Sequence, residues 1–387
     1  MHIRWLSTLL LISVCVASAN ETKQVAGKTC DADLCVGSTR KLQKPSDAAA
    51  IAKDGNTIHI DAGDYVGDAA LWTKNDLTIR GVNGRAHMIA AGVDYGGKGT
   101  WVIKGANTTV ENLEFSGAKV RDRNGAGIRF EGKKLTVRNC YFHHNENGIL
   151  GGLFENGEVL VENSEFAYNG FGDGQSHNIY IGRIRILTVR FSYLHHAIVG
   201  HNLKSRARTN HVLYNRIVDE NDGRASYEVN LPEGGLAYLI GNTIQQSQKT
   251  ENNTIVAYGE EGLRSAPHEF YFASNTVINS GPADSRFIRL QPGAAPGLIV
   301  NNIFSGPGKI LDGLGELRNN MVVSKSDFIA ASEYDFRLNQ KSAAIDAGID
   351  PGEGRGVSLT PSFEYVHPLQ SATRKRDRHL DLGAFEQ

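Results

Sequence analysis

The sequence predicts a right-handed parallel β-helix, an all-β solenoid, on three observations. A strand motif carrying an Asn recurs at intervals of roughly 23 to 33 residues, a solenoid spacing. Within each copy apolar residues alternate with period two, and β-branched and aromatic residues dominate. Gly is abundant at 43 residues against 10 Pro, as many tight turns between short strands require. Parallel strands joined by crossovers take the right-handed path by default.

The chain has 387 residues, of which 40% are hydrophobic, enough for a large core and too many for a disordered polymer. Its formal net charge of −1 names no partner, so any electrostatic function must come from local clustering, and a nucleic-acid partner is not expected.

Residues 1–19 read as a signal peptide. Arg4 supplies the positive start, residues 9–16 a short apolar core, and Ala17-Ser18-Ala19 a small-residue cleavage site. This points to a secreted or periplasmic protein. No later stretch is apolar enough to span a membrane. Residues 20–45 form a leader in which Cys30 and Cys35 are close enough for a small disulfide loop in an oxidising compartment. Residues 46–387 read as a single β-helix domain, and a monomer is expected. Residues 46–52 look like an amphipathic helix capping the first coil.

The Asn motif recurs at Asn112, Asn139, Asn163, Asn215, Asn242, Asn275 and Asn302, with one coil reading Arg190-Phe191-Ser192-Tyr193-Leu194. Stacked coils should set each Asn above the next, bonding bend backbone that would otherwise be orphaned. A second strand series follows each motif. In it Ile128, Ile149, Ile179, Leu203, Val229, Ile255 and Ile288 should form one inward column. Beyond Asn302 the pattern loosens into a tail read as a C-terminal cap.

Alternation then assigns the outward positions. Tyr180, Lys204 and Asn230 should share one column, with Arg206 at its end. Asn178, Asn202 and Glu228 should form the neighbouring outward column. His177, His201 and Tyr227 fall in a column expected to point inward. Residues 174–218 contain no Asp or Glu, while Arg183, Arg185, Arg190, Lys204, Arg206, Arg208 and Arg216 all lie there. That asymmetry suggests a site for an anionic ligand.

These features resemble the pectate-lyase-like superfamily of right-handed β-helices. The start, Gly55-Asn56-Thr57-Ile58-His59-Ile60-Asp61-Ala62-Gly63-Asp64-Tyr65, looks like the first coil of secreted polysaccharide-active members. The ends Ser342-Ala343-Ala344-Ile345-Asp346-Ala347-Gly348 and Asp381-Leu382-Gly383-Ala384-Phe385-Glu386 look like their terminal signature. Asn202-Leu203-Lys204-Ser205, leading to Asn210 and Tyr214-Asn215, is similar to the catalytic coil of chondroitinase-B-like and alginate-lyase-like members. The resemblance implies a Lys-Ser pair supplying the base, an Arg one coil later, and a calcium held by nearby acids and Asn. Here stacking puts Asn230 where the Arg would stand, and Arg206 is the substitute on the same face.

The resemblance thus implies a polysaccharide lyase cleaving an acidic, uronate-containing polymer by β-elimination. Lys204 is the candidate base, its pKa lowered by Arg206. Arg206, or a calcium held by Glu228 with Asn202 and Asn230, would neutralise the substrate carboxylate. Tyr180 or His201 would protonate the leaving oxygen. Asn178, Asn202, Asn230, His177, Tyr227 and Arg208 are candidate substrate contacts. Glu260 and Glu261, with Asp219, Glu220 and Asp222, keep a glycoside hydrolase open as an alternative. A C5-epimerase and a non-catalytic polysaccharide-binding β-helix are the others.

Overall fold

The computed structural model describes residues 30–387 except 153, 265, 376 and 377. The signal peptide expected over residues 1–19, and the leader up to residue 29, lie outside the described residues. Two parallel sheets wind around one core, one of 21 strands and one of ten. A representative coil runs Lys134–Arg138, bends at Asn139, continues as Tyr141–His143, and turns into Asn147–Gly151 on the ten-stranded sheet. The helix Pro45–Ile51 sits at the N-terminal end, where strand Leu34–Val36 pairs with the long strand Thr57–Val66. Cys30 and Cys35 are paired as a disulfide there.

The bend explains the Asn repeat and corrects its register. Two adjacent columns carry it. The first is a left-handed position, occupied by Asn112, Asn139, Asn163, Phe191, Tyr214, Gly241, Ser274, Asn301 and Asn319, all with φ between 48° and 67°. Asn and Gly suit that conformation best, because most side chains clash there with the following carbonyl. The second column, one residue later, runs Cys140, Ser164, Ser192, Asn215, Asn242, Asn275, Asn302 and Asn320, and is buried as far as Asn302. Each backbone amide donates to the next side chain. Ser192 N reaches Asn215 Oδ1 at 3.0 Å, Asn215 N reaches Asn242 Oδ1 at 2.9 Å, and Asn242 N reaches Asn275 Oδ1 at 2.9 Å. Asn112, Asn139 and Asn163 therefore turn the chain, whereas Asn215, Asn242, Asn275 and Asn302 form the ladder. They do not make one stack, because the motif slides by one residue between the two halves.

An aromatic stack fills part of the interior. Trp72, Trp101, Phe115, Phe142 and Phe166 follow one another through successive coils at ring separations of 5.1, 5.0, 5.0 and 4.8 Å. On the ten-stranded sheet the inward column is Ile128, Ile149, Ile179, Leu203 and Val229, but continues through Val256, not Ile255, to Ile288. Ile255 is also buried, one position earlier, at a corner where two successive residues point inward.

The tail does not stop the open end of the solenoid as a lid would. It runs back along the flank of the large sheet through short antiparallel pairs. Ala384 N donates to Thr276 Oγ1, Gly354 O accepts from Tyr238 Oη, and Leu369 O accepts from Asn163 Nδ2. Leu359, Phe336, Tyr365 and Leu382 bury against outward residues of the coils, among them Tyr193, Tyr214 and Ile303.

Candidate active site

Three neighbouring strands of the ten-stranded sheet, Ile179–Ile181, His201–Ser205 and Tyr227–Leu231, carry the candidate residues. The register stacks Tyr180 on Lys204 and Lys204 on Asn230. Regular strands hold these groups on fixed backbone, as a precise site requires. Lys204 Nζ lies 5.5 Å from the centroid of the Tyr180 ring and donates to Glu261 Oε1 at 3.1 Å. Arg206 crosses the same ring, with its guanidinium carbon 5.1 Å from the centroid, and donates to the Tyr180 hydroxyl and to Glu261.

Burial pushes the Lys204 ammonium below the ordinary lysine value, and the charge of Arg206 adds to this, while Glu261 opposes it. Burial alone would raise the Glu261 carboxyl, but hydrogen bonds from Arg206 and Lys204 bring it below the ordinary carboxylate value. Behind this pair lies Glu233, whose side chain is 3% exposed and accepts from Arg183 at 2.6 and 2.8 Å and pairs with Arg206 at 3.3 Å. The acid-free basic stretch is thus not an unbalanced basic face. Acids from other coils neutralise it: Glu233 and Glu261 here, Glu158 on Arg185, and Glu162 on Arg190.

The corner with two inward residues reverses two assignments. His177 and His201 lie on the side of Tyr180, not in the core. The His177 ring meets the Tyr180 ring edge-on at 5.2 Å and the His201 ring at 4.4 Å, and His201 meets Tyr227 at 4.8 Å. Stacking buries both imidazoles, and that burial, with Lys204 and Arg206 nearby, holds both well below the ordinary histidine value. Tyr227 is half-buried and donates to Glu260 Oε1 at 3.4 Å, and Asn230 donates to Glu260 Oε2 at 3.1 Å.

Conversely, Asn178, Asn202 and Glu228 are not outward. All three are at most 1% exposed and form an internal ladder. Asn169 Nδ2 donates to Asn178 Oδ1 at 2.8 Å, Asn178 Nδ2 to Asn202 Oδ1 at 2.6 Å, and Asn202 Nδ2 to Glu228 Oε2 at 2.6 Å and Asp219 Oδ1 at 2.8 Å. Asn178 and Asn202 are therefore not substrate contacts. Glu228 does not fit calcium either: burial, then the charge of Asp219, push its carboxyl well above the ordinary value, and its Oε1 has no partner. A calcium site needs several ionised or carbonyl oxygens open to one point. Arg208 also departs from expectation, turning away to pair with Glu155 at 3.3 Å on an exposed edge.

A groove of about 680 Å³ runs up to this cluster and ends at Tyr180. Arg129 and Leu150, which precede Tyr180 in its column, form the floor, and the loops bearing Asp122, Arg123, Asp173 and Gln175 line it. Sequence reasoning missed the groove and Glu233. The groove depends on loops from separate coils, and Glu233 lies past the acid-free window. The Glu260-Glu261 pair was visible, but its contacts with Asn230, Lys204 and Arg206 were not.

The stacked parallel coils and the outward site define the chain as a parallel β-solenoid. The family model described as "Right handed beta helix region" matches residues 67–255. The crystal structure of pectate lyase Pel9A superposes with a TM-score of 0.60 at 16% identity, covering 88% of this chain and 90% of that one. ORF18 of Geobacillus virus E2 aligns at 12% identity and a TM-score of 0.43 over 71% of this chain and 54% of that one. The A-module of the Azotobacter vinelandii mannuronan C-5 epimerase AlgE6 aligns at 12% identity and a TM-score of 0.37, covering 72% of this chain and 93% of that one. No curated protein matches the chain. The chain is a right-handed β-helix protein with the pectate-lyase-like fold. Among the described residues no helix is long and apolar enough to cross a membrane.

Proposed function

We propose that this protein is a secreted lyase that cleaves a uronate-containing polysaccharide by β-elimination, with Lys204 as the base. The observation that carries the reading is the lysine itself. Its ammonium is partly desolvated against Tyr180, next to Arg206, and Tyr180 in turn lines the groove of about 680 Å³. A lysine held below its ordinary pKa is the kind of amine that can accept a proton near neutral pH.

Glu261 bridges Lys204 and Arg206 with one carboxylate, and its side chain is 44% exposed. A substrate uronate would replace it on Arg206, which would then neutralise the carboxylate and acidify the C5 hydrogen. Neutral Lys204 takes that proton, the C4–O4 bond breaks as the C4–C5 double bond forms, and the leaving oxygen takes a proton. Tyr180, whose hydroxyl is at the cluster, suits that last role better than His201, whose depressed pKa keeps it neutral. Tyr227 is the remaining sugar contact of the proposed site, and His177 and Asn230, 1% and 3% exposed, support it from beneath. The fold of pectate lyase Pel9A agrees with this reading but does not by itself assign the activity.

Hydrolysis is the weaker alternative for a physical reason. A hydrolase needs a carboxylic acid kept protonated beside the bond it cleaves. Of the acids at the face, Glu261 is held in its ionised form, and Glu233 and Glu260 are paired with arginines. Glu228, which is raised, is sealed inside.

The test is to incubate the mature protein with a panel of uronate polymers and follow absorbance of the unsaturated product. Wild type should generate it at a rate that rises with pH toward a plateau below the ordinary lysine pKa. Lys204→Ala should lose about 100-fold or more in kcat, the scale of a lost general base. Unchanged absorbance in that variant would remove Lys204 from the role. New reducing ends without absorbance would indicate hydrolysis, and C5 hydrogen exchange without cleavage an epimerase.

A further inference from the structure

On the large sheet, away from the Lys204 face, three coils bring two imidazoles and a carboxylate together. His87 lies in strand Thr78–Ile89, Glu114 in Leu113–Ser116, and His143 in Tyr141–His143. The register sets His87 opposite Glu114, and His143 opposite Ser116. His143 Nε2 is 2.9 Å from Glu114 Oε1, and His87 Nε2 is 3.5 Å from the same oxygen. One ligand atom from each residue falls within 4.8 Å of the others. We propose that His87, Glu114 and His143 form a binding site for a divalent transition metal of the zinc type, independent of the candidate active site.

The geometry suits the ion. Ligands about 2.1 Å from a tetrahedral metal stand roughly 3.4 Å apart, and His87 Nε2 and Glu114 Oε1 stand 3.5 Å apart. Both imidazoles present Nε2 to the centre, and both are held from behind. His87 Nδ1 faces Asp64 Oδ1 at 3.4 Å, the carboxylate–histidine arrangement that orients metal-binding imidazoles. His143 Nδ1 faces His144 Nδ1 at 2.8 Å, so a proton on His143 Nδ1 leaves its Nε2 lone pair free. Ser116 Oγ, 2.7 Å from His87 Nε2, is the nearest further oxygen, and water can take the fourth position from solvent. The three side chains are 16% to 23% exposed, so the site is neither sealed nor loose. Two imidazoles with one carboxylate favour zinc, copper or nickel over calcium and magnesium, which take oxygen sets.

The test is calorimetric titration of the chelator-stripped, untagged mature protein with zinc chloride. Wild type should bind one equivalent at micromolar affinity or tighter, and calcium chloride should give no heat at this site. His87→Ala and His143→Ala should each weaken zinc by about 100-fold, and Asp64→Asn by about 10-fold, as loss of an orienting carboxylate does. His196→Ala, an imidazole outside the cluster, should leave binding unchanged. X-ray absorption of the zinc form should report two imidazoles and oxygen. These side chains lie on the outer face, and circular dichroism checks each fold. If His143→Ala fails to fold, Glu114→Gln takes its place. Wild-type affinity no tighter than that of the His87 or His143 variants, or an equal loss in His196→Ala, overturns the proposal.

Discussion

Glu228 illustrates how a single residue can be placed in the right column and on the wrong side. Period-two alternation made it a surface acid, but two successive inward residues at the corner turn it into the end of a buried ladder. Asp219 accepts from the His196 and Ala225 amides and from Asn202, which supports its charge, whereas Glu228 has one donor. Burial raises both carboxyls, Glu228 the further, so Glu228 is the member that protonates more readily. Its folded-state pKa is above the unfolded one, so its contribution is complete below the ordinary carboxylate value. It is lost as pH rises through the folded value, because the unfolded chain ionises first. Glu228→Gln, which cannot ionise, should unfold at a higher urea concentration than wild type at alkaline pH, and the difference should vanish below about pH 4. A wild-type advantage at alkaline pH would mean that the carboxylate is needed there. The same corner hid His177 and His201. Lys204, Tyr180 and Asn230 were legible because they lie beyond it, where alternation resumes.

At the level of the strand and its bend, the sequence displayed a repeat but blurred two functions into one. An Asn that turns the chain and an Asn that bonds it look alike when they differ by one position. Their energetics differ. Asn242 accepts from Asn215 N and Nδ2, donates to the Val212 carbonyl at 2.8 Å, and also donates to Asn275. Asn242→Ala strands several of these buried groups and should cost roughly 2–4 kcal/mol. Asn139 sits at φ 50° with an exposed side chain, and Asn139→Gly should change stability by less than about 1 kcal/mol, since Gly takes that conformation freely. Urea denaturation of the two variants checks the pair, and equal losses would contradict the two-column assignment.

Over the whole molecule, the solenoid was legible and the course of its tail was not. Local alternation repeats coil after coil, but the tail's contacts join residues far apart, such as Asn163 to Leu369, with no local signature. The groove escaped for the same reason. Arg374 anchors the tail: its side chain is 1% exposed, pairs with Glu386 at 2.6 Å, and donates to the carbonyls of Gly383, Asp381 and Phe385. Arg374→Ala leaves the Glu386 carboxylate buried without its partner and should cost about 3–5 kcal/mol. Thermal or urea unfolding followed by circular dichroism measures this, and a loss below about 1 kcal/mol would show that the strap is not held from this point.

That strap changes how the molecule comes apart. A bare solenoid is a zipper, in which each coil answers only to its neighbours and the last coil can peel off without notice to the first. Here the terminal segment is laced through the flanks of coils laid down some two hundred residues earlier. Coils near the C-terminal end cannot release while those stitches hold, and losing the stitches exposes apolar flanks on many coils at once. The lacing makes distant coils share one fate, and it can be completed only after Ala384 has been synthesised, more than a hundred residues after the Thr276 it bonds.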